Sequence, residues 1–290
     1  MKDAKPQRHP FPCKHIFRTK TGLVYFHQYF NTMTDTTHTF SSCCIKHFSW
    51  SGTPSGTEST LSNLPAYVTG TNTLAAVLYV HDALGWKFSN ARLLADHFAK
   101  EANVTVYMPD FFGGERLDED AVKEGRWGDV DMPGFTKRNA REVREPEIFE
   151  CARELRGRYE KLGTVGYCFG GWAVMRLGGK EHKPPLVDCV VCAHPSWMTK
   201  EDIDGYGSAP LQFLATEIDT MFPPELKQYA FQKLIIDRQG KDGVAADWVH
   251  LPGVAHGCLT KGDEHIEGER EAMIRGKDSA VAWFKQWLST

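Results

Sequence analysis

Leu162-Gly163-Thr164-Val165-Gly166-Tyr167-Cys168-Phe169-Gly170-Gly171 is the stretch that decides the fold of this 290-residue chain. Residues 162–167 predict a buried strand, and residues 171–177 predict a short helix directly after it. Cys168 lies between them, with a glycine two residues before it and another two residues after it. A strand-to-helix turn this tight accepts only small residues there and holds the central residue in a strained, exposed conformation. The pattern predicts a nucleophile elbow at Cys168; a buried structural cysteine is the alternative.

Short apolar runs alternate with longer amphipathic runs on both sides of this stretch. We predict further strands at 74–80, 104–108, 187–193, 211–218 and 246–251, and helices at 89–100, 142–161, 224–238 and 269–288. Ser89 or Asn90 is the expected cap of the first of these helices. Strands of this length alternating with helices indicate an α/β fold with a mostly parallel, doubly wound sheet and helices on both faces. We expect one such domain at residues 41–290.

Three segments fall outside this alternation. Residues 50–63 are polar and turn-forming, so we expect a loop between two early edge strands. Residues 111–136 form a long glycine-containing stretch after a predicted strand, which favours a lid over the active edge. Residues 1–40 show no clear period, and we expect a poorly ordered extension, with Met33 as an alternative start. Residues 1–32 carry six basic side chains against one acidic, a charge of +5, so the remainder sums to −8.

The composition excludes two classes of partner. The net charge is −3, with no long block of like charges, so we expect no nucleic-acid binding. The longest apolar run, residues 74–80, is far shorter than the roughly 18 residues that cross a bilayer, so we expect no membrane association. Eight cysteines without regular spacing or a secretory signal indicate a reduced, cytoplasmic protein. Cys189 and Cys192 lie in an apolar run and are expected in the core, so we predict no metal site.

An elbow nucleophile requires a base and a group that orients it, which follow in the order acid and then histidine. Asp219 comes directly after a predicted strand and is the favoured acid; Glu217 and Asp204 are the competitors. The alternative role of Asp219 is to cap the helix that follows. His256 lies in a loop of small residues before the last helix and is the favoured base, whereas His250 lies within the preceding strand.

With these residues in place, the chain resembles the dienelactone hydrolase family of α/β hydrolases over roughly residues 41–289. The resemblance rests on the elbow, on Asp219 and His256, and on further motifs at the ends of two predicted strands. The opening motifs are similar to those of the fungal branch. These further motifs are His81-Asp82-Ala83-Leu84-Gly85, Met108-Pro109-Asp110-Phe111-Phe112, Cys43-Cys44-Ile45 and Gly56-Thr57-Glu58.

The resemblance implies a role for each matching residue. Cys168 would be the nucleophile, His256 the base and Asp219 its orienting partner. The backbone N–H groups of Phe169 and Ala83 would form the oxyanion hole. No cofactor is implied.

Two positions depart from the family pattern. The family has a glutamate that contacts the resting thiol where this chain has Asp82, a possible thiol partner with a shorter side chain. Thr260 occupies the place of an arginine that binds the substrate carboxylate in the member that opens dienelactones. Arg116, Arg126 or Arg138 could substitute for that arginine. The dienelactone itself is therefore not the expected substrate.

The residues predict hydrolysis of a small lactone, activated ester or thioester through an acyl-thioester on Cys168. Tyr167 and His194, at the ends of two predicted strands, are candidate pocket-lining residues. Two other functions stay open: a non-catalytic ligand-binding protein with this fold, and a redox sensor in which Cys168 forms a sulfenic acid. We expect a monomer or a small homo-oligomer.

Overall fold

Eight strands form one sheet, and they alternate with helices along the chain. The strands are β1 Thr57–Leu61, β2 Leu64–Thr69, β3 Ala75–Val80, β4 Thr105–Pro109, β5 Lys161–Tyr167, β6 Cys189–Ala193, β7 Leu211–Ile218 and β8 Ala246–Ala255. Their order in the sheet is β1-β2-β4-β3-β5-β6-β7-β8. Strand β2 is antiparallel to β1 and β4, and the other neighbouring strands are parallel.

The helices surround this sheet. They are α1 Ser89–Ala102, α2 Met132–Arg138, α3 Arg141–Arg158, α4 Gly170–Leu177, α5 Lys200–Asp204, α6 Pro224–Phe231, α7 Cys258–Lys261 and α8 Glu267–Leu288. Helix α1 packs against α8, and α3 packs against α4. Every residue of β3 and of β6 is buried, as expected for parallel strands that are covered on both faces. The predicted α/β fold with a mostly parallel sheet is confirmed.

This computed structural model describes residues 48–115, 129, 131–238 and 245–290, all of which belong to one compact unit. The predictions for residues 1–40, and for most of the proposed lid at 111–136, concern residues outside these ranges. None of the described helices is long and apolar enough to cross a membrane.

Several predicted boundaries were wrong for identifiable reasons. Part of the predicted loop 50–63 is strand β1, whose side chains are mostly exposed because it is the edge strand, so an apolar pattern is absent. Helix α2 begins inside the predicted irregular stretch, where the Asp131 side chain accepts a hydrogen bond from the Gly134 N–H. The predicted helix 224–238 is α6 followed by a wider helical turn, Gln232–Ile236.

The predicted cap of α1 is also wrong. The helix follows Phe88 without a side-chain cap, and the Asn90 side chain is buried instead. Asn90 accepts a hydrogen bond from the Trp50 N–H and donates to the carbonyls of Phe48 and Thr260. This asparagine therefore connects three distant segments, because tertiary contacts outweighed its local capping preference.

The parallel strands end at one edge of the sheet, and the chain turns there in a set of short loops. Strands β3, β5, β6, β7 and β8 are followed by the loops that carry the candidate residues. This edge is where ligands bind in open α/β sheets.

Candidate active site

Cys168 lies in a sharp turn between β5 and α4. Its backbone φ is +51°, in the left-handed region, which costs on the order of 1–3 kcal/mol for a residue other than glycine. A Cβ atom at Gly166 would collide with the carbonyl of Gly170, and a Cβ atom at Gly170 would collide with the carbonyl of Val80. The glycines on each side of Cys168 are therefore required by the close approach of strand, turn and helix.

The Asp219 carboxylate contacts the His256 imidazole at the ends of β7 and β8. Asp219 Oδ1 lies 2.9 Å from His256 Nδ1, and both side chains are almost fully buried. Asp219 also accepts hydrogen bonds from the N–H groups of Met221 and Phe222, at 2.9 Å each, and from the Thr216 hydroxyl at 3.2 Å. The carboxylate is thus held in place by its own turn and presented to His256.

The competing residues lie elsewhere. Glu217 is exposed and accepts a hydrogen bond from the Gly253 N–H, while Asp204 accepts from the Tyr229 hydroxyl. His250 is exposed on β8. Helix α6, which Asp219 could have capped, begins after Pro223.

Ser196 stands between the thiol and the imidazole. The Ser196 Oγ lies 3.2 Å from Cys168 Sγ and 3.3 Å from His256 Nε2. Its backbone N–H donates to the carbonyl of Cys168 at 2.8 Å. The sulfur of Cys168 is therefore hydrogen-bonded to a serine hydroxyl, and the sequence analysis did not single out this serine. The signal it offered was its place just after a strand that ends at the active edge.

Asp82, the possible thiol partner, binds other groups. Its Oδ2 accepts a hydrogen bond from the Thr260 hydroxyl at 2.7 Å, and its Oδ1 accepts from the Leu84 N–H at 2.9 Å. The two positions that depart from the family pattern therefore contact each other. Ala83 is buried and lies between Asp82 and Leu84, which these hydrogen bonds hold in place. Among the described residues, the N–H of Ala83 itself has no acceptor.

The candidate pocket residues Tyr167 and His194 are both buried, and the His194 ring lies edge-on to the His256 imidazole. The rings of Tyr167 and His194 lie 5.6 Å apart, and the His194 ring lies 5.0 Å from that of His256. Neither ring nitrogen of His194 has a hydrogen-bond partner among the described residues. Burial holds the pKa of His194 well below its usual value, and nearby His256 and Lys261 lower it further.

The other described cysteines are buried and free. Burial raises the pKa of Cys189 and Cys192 well above the ordinary value, and raises the pKa of Cys151 to about 12. A thiol of this kind stays protonated and unreactive near neutral pH. Cys168 is buried as well, so the exposed position expected at the elbow is not observed. Cys168 differs from the other cysteines in its turn conformation and in the bond from its sulfur to a hydroxyl that also contacts His256.

Comparisons with known proteins agree with this architecture. A model described as the dienelactone hydrolase family matches residues 64–288. Hydrolase tropI from Talaromyces stipitatus is 32% identical over 255 residues, covering 85% of this chain and 96% of that protein. A carboxymethylenebutenolidase homolog from Mus musculus is 33% identical over 230 residues, covering 76% and 89%. Carboxyl esterase 2 from the mycorrhizal fungus Tuber melanosporum shares the fold, with a TM-score of 0.54 at 15% identity and coverage of 84% and 91%.

Proposed function

Because the chain belongs to the dienelactone hydrolase family and is an ester or lactone hydrolase, we propose that it cleaves small lactones, activated esters or thioesters through Cys168. The observation that carries this proposal is one continuous hydrogen-bonded chain. It runs from Asp219 through His256 and Ser196 to the sulfur of Cys168, which occupies the turn between strand and helix. A nucleophile, a base and a group that orients the base are the parts that acyl transfer requires.

The reaction would proceed in two stages. The Cys168 sulfur attacks the carbonyl carbon of the substrate, its proton passes to His256, and the leaving group departs with a proton. An acyl-thioester remains on Cys168. His256 then removes a proton from water, which attacks the thioester, and the acid is released. The Asp219 carboxylate holds His256 in the tautomer that carries its proton on Nδ1.

The backbone N–H groups of Phe169 and Ala83 are the proposed oxyanion donors. The geometry supports Ala83 because Asp82 and Gly85 fix its loop by hydrogen bonds, whereas the Ala83 N–H itself has no acceptor among the described residues. Such donors contribute about 3 kcal/mol each to transition-state stabilisation when they are preorganised.

The proposed substrate class rests on the thiol nucleophile and on Thr260, which stands where an arginine would bind a substrate carboxylate. A thiolate is a good leaving group itself, so it displaces enolates, phenolates and thiolates more readily than amines, which favours lactones, activated esters and thioesters over peptides. The Thr260 hydroxyl is bound to Asp82, and it offers no bidentate clamp for a substrate carboxylate. We therefore propose an acyl group whose binding does not depend on an arginine at this position.

The decisive experiment is hydrolysis of a panel of lactones, aryl esters and thioesters by wild type and by Cys168→Ala. We expect the variant to lose hydrolysis by several orders of magnitude, because the nucleophile is absent. Cys151→Ala, which removes a buried thiol from α3, is the matched control and should keep the wild-type rate. Turnover that survives in Cys168→Ala would refute the proposal.

Iodoacetamide labelling with peptide mass spectrometry separates the two other functions. A ligand-binding protein without chemistry would show no selective alkylation of Cys168 near pH 7. A redox sensor would accumulate a sulfenic acid at Cys168 on peroxide treatment and would hydrolyse none of the panel.

A further inference from the structure

We infer that the Ser196 hydroxyl is a proton relay between Cys168 and His256, so that the thiol loses its proton to the imidazole through Ser196. This inference rests on the proposed function, since it assigns the path of the first proton transfer. Ser196 is fully buried, and its two hydrogen-bond partners are the nucleophile and the base. It touches the reacting sulfur, which makes it a catalytic residue in this scheme.

The direction of each hydrogen bond follows from chemistry that begins at Asp219. A carboxylate only accepts, so His256 Nδ1 carries a proton and donates it to Asp219 Oδ1. In a neutral imidazole the other nitrogen, Nε2, is then an acceptor. The Ser196 hydroxyl must donate its single proton to Nε2, which leaves the Ser196 lone pairs to accept the proton of the Cys168 thiol. Cys168, Ser196 and His256 thus each donate one hydrogen bond in the direction of Asp219.

The transfer then balances without any further reactant. The Cys168 S–H bond breaks as its proton bonds to Ser196 Oγ, and the Ser196 O–H bond breaks as its proton bonds to His256 Nε2. The products are a thiolate on Cys168 and a protonated His256 beside the Asp219 carboxylate, while Ser196 is again a neutral hydroxyl. In the product state the Ser196 hydroxyl donates to the thiolate and accepts from the imidazolium.

The loop after β6 is shaped to hold Ser196 in this position. His194 and Trp197, on either side of it, have backbone φ angles of +31° and +58°, which are unfavourable for residues with a Cβ. The Ser196 N–H is bound to the carbonyl of Cys168, so the loop is anchored directly to the turn that carries the nucleophile. Strain retained at two residues around one serine indicates a position set by function.

A buried serine with a purely structural role would donate its hydroxyl to a backbone carbonyl. Thr164, equally buried in β5, does this: its hydroxyl donates to the carbonyl of Leu78 at 2.9 Å. No backbone carbonyl is recorded as an acceptor for the Ser196 hydroxyl among the described residues. Thr164→Val is therefore a matched control that removes a buried hydroxyl without touching the nucleophile.

The test is the pH dependence of Cys168 alkylation by iodoacetamide, which needs no substrate. In Ser196→Ala we expect the rise of the alkylation rate to move to higher pH by at least about one unit, a tenfold lower rate at pH 7. His256→Asn should show a similar shift, Ser196→Thr should restore the wild-type profile, and Thr164→Val should leave it unchanged. A Ser196→Ala profile that superimposes on wild type would overturn the relay, because the thiol would then reach His256 without the hydroxyl.

A second measurement uses the wild-type protein and so does not depend on folding of a variant. The acylation rate with an activated aryl ester is measured across mixtures of H₂O and D₂O. Two protons moving together through Ser196 give a curved dependence on the deuterium fraction, and a linear dependence would overturn the relay. Ser196-dependent alkylation without any hydrolysis would refute the proposed function and leave the relay standing. Hydrolysis together with alkylation that is independent of Ser196 would overturn the relay and leave the proposed function standing.

Discussion

Two loops lie beside Cys168, the proposed nucleophile, and they are built in opposite ways. In the loop after β3, both nitrogens of the buried His81 are paired: Nδ1 with the carbonyl of Asp82 at 2.9 Å, and Nε2 with the N–H of Phe111 at 3.2 Å. Both oxygens of Asp82 are also paired, and the positive φ in this loop falls on a glycine, Gly85. In the loop after β6, neither nitrogen of His194 is paired among the described residues, and positive φ angles fall on His194 and Trp197.

The difference separates two tasks. A loop in which both nitrogens of His81 and both oxygens of Asp82 are paired is rigid and low in energy, which suits the fixed backbone donor proposed at Ala83. A loop with strain and unpaired buried atoms is tolerated only where it brings a group into position, and the group it brings is Ser196. Stability and reactivity are thus concentrated in different loops on the same edge of the sheet.

The largest test of this comparison is Asp82→Ala. The variant leaves the buried Leu84 N–H without its acceptor and leaves the Thr260 hydroxyl with only its 3.3 Å contact to the Gly257 carbonyl, so we expect the free energy of unfolding to fall by about 3 kcal/mol. Because the Ala83 N–H loses its support, kcat should also fall about hundredfold with little change in KM. Urea unfolding and steady-state kinetics measure both effects, and a stable variant with wild-type kcat would contradict the role assigned to this loop.

The same substitution in each loop gives the next test. His81→Leu leaves the Phe111 N–H and the Asp82 carbonyl unpaired, and we expect a loss of about 2 kcal/mol in the free energy of unfolding. His194→Leu removes two ring nitrogens that have no partner among the described residues, so it should change that free energy by less than about 1 kcal/mol. Equal losses in the two variants, measured by urea unfolding, would remove the distinction between the loops.

The smallest expected effect is in the pH dependence of stability. Burial lowers the pKa of both His81 and His194 in the folded protein, while the unfolded chain has the ordinary histidine pKa of about 6.5. Below that pH the unfolded state binds more protons, so stability is present above about pH 6.5 and is lost as the pH falls.

Between pH 7.5 and 5.5 each neutral histidine accounts for at most about 1.4 kcal/mol of this loss. His194→Leu and His81→Leu should therefore each flatten the pH profile of the unfolding free energy by up to that amount. A profile as steep in the variants as in wild type would show that these histidines protonate in the folded protein.

Sequence reasoning located most of the strands and the candidate groups because their signals are local. Residues 211–218 form a largely apolar run that is bounded by turn residues on both sides, so the predicted strand coincides with β7. The roles of Gly166 and Gly170 can be recognised from the sequence because a tight turn excludes any side chain at those two positions. Asp219 is readable because it directly follows a strand end.

What the sequence did not reveal depends on distant partners. The Asp82 carboxylate is turned toward Thr260, which lies 178 positions further along the chain. Ser196 reaches the thiol because the backbone of His194 adopts φ of +31°, a conformation that residue identity alone does not predict. Edge strand β1 was missed because its exposed side chains carry no apolar period.

The glycine after the elbow has a mechanical consequence. A Cβ atom at Gly171 would collide with Pro195, so the first turn of α4 touches the loop after β6 without space between them. Because of this contact and of the bond from the Ser196 N–H to the carbonyl of Cys168, we expect the elbow and the serine loop to move together. A displacement of the Cys168 sulfur would then carry the Ser196 hydroxyl with it, so the distance between these two atoms would change little when the edge of the sheet moves.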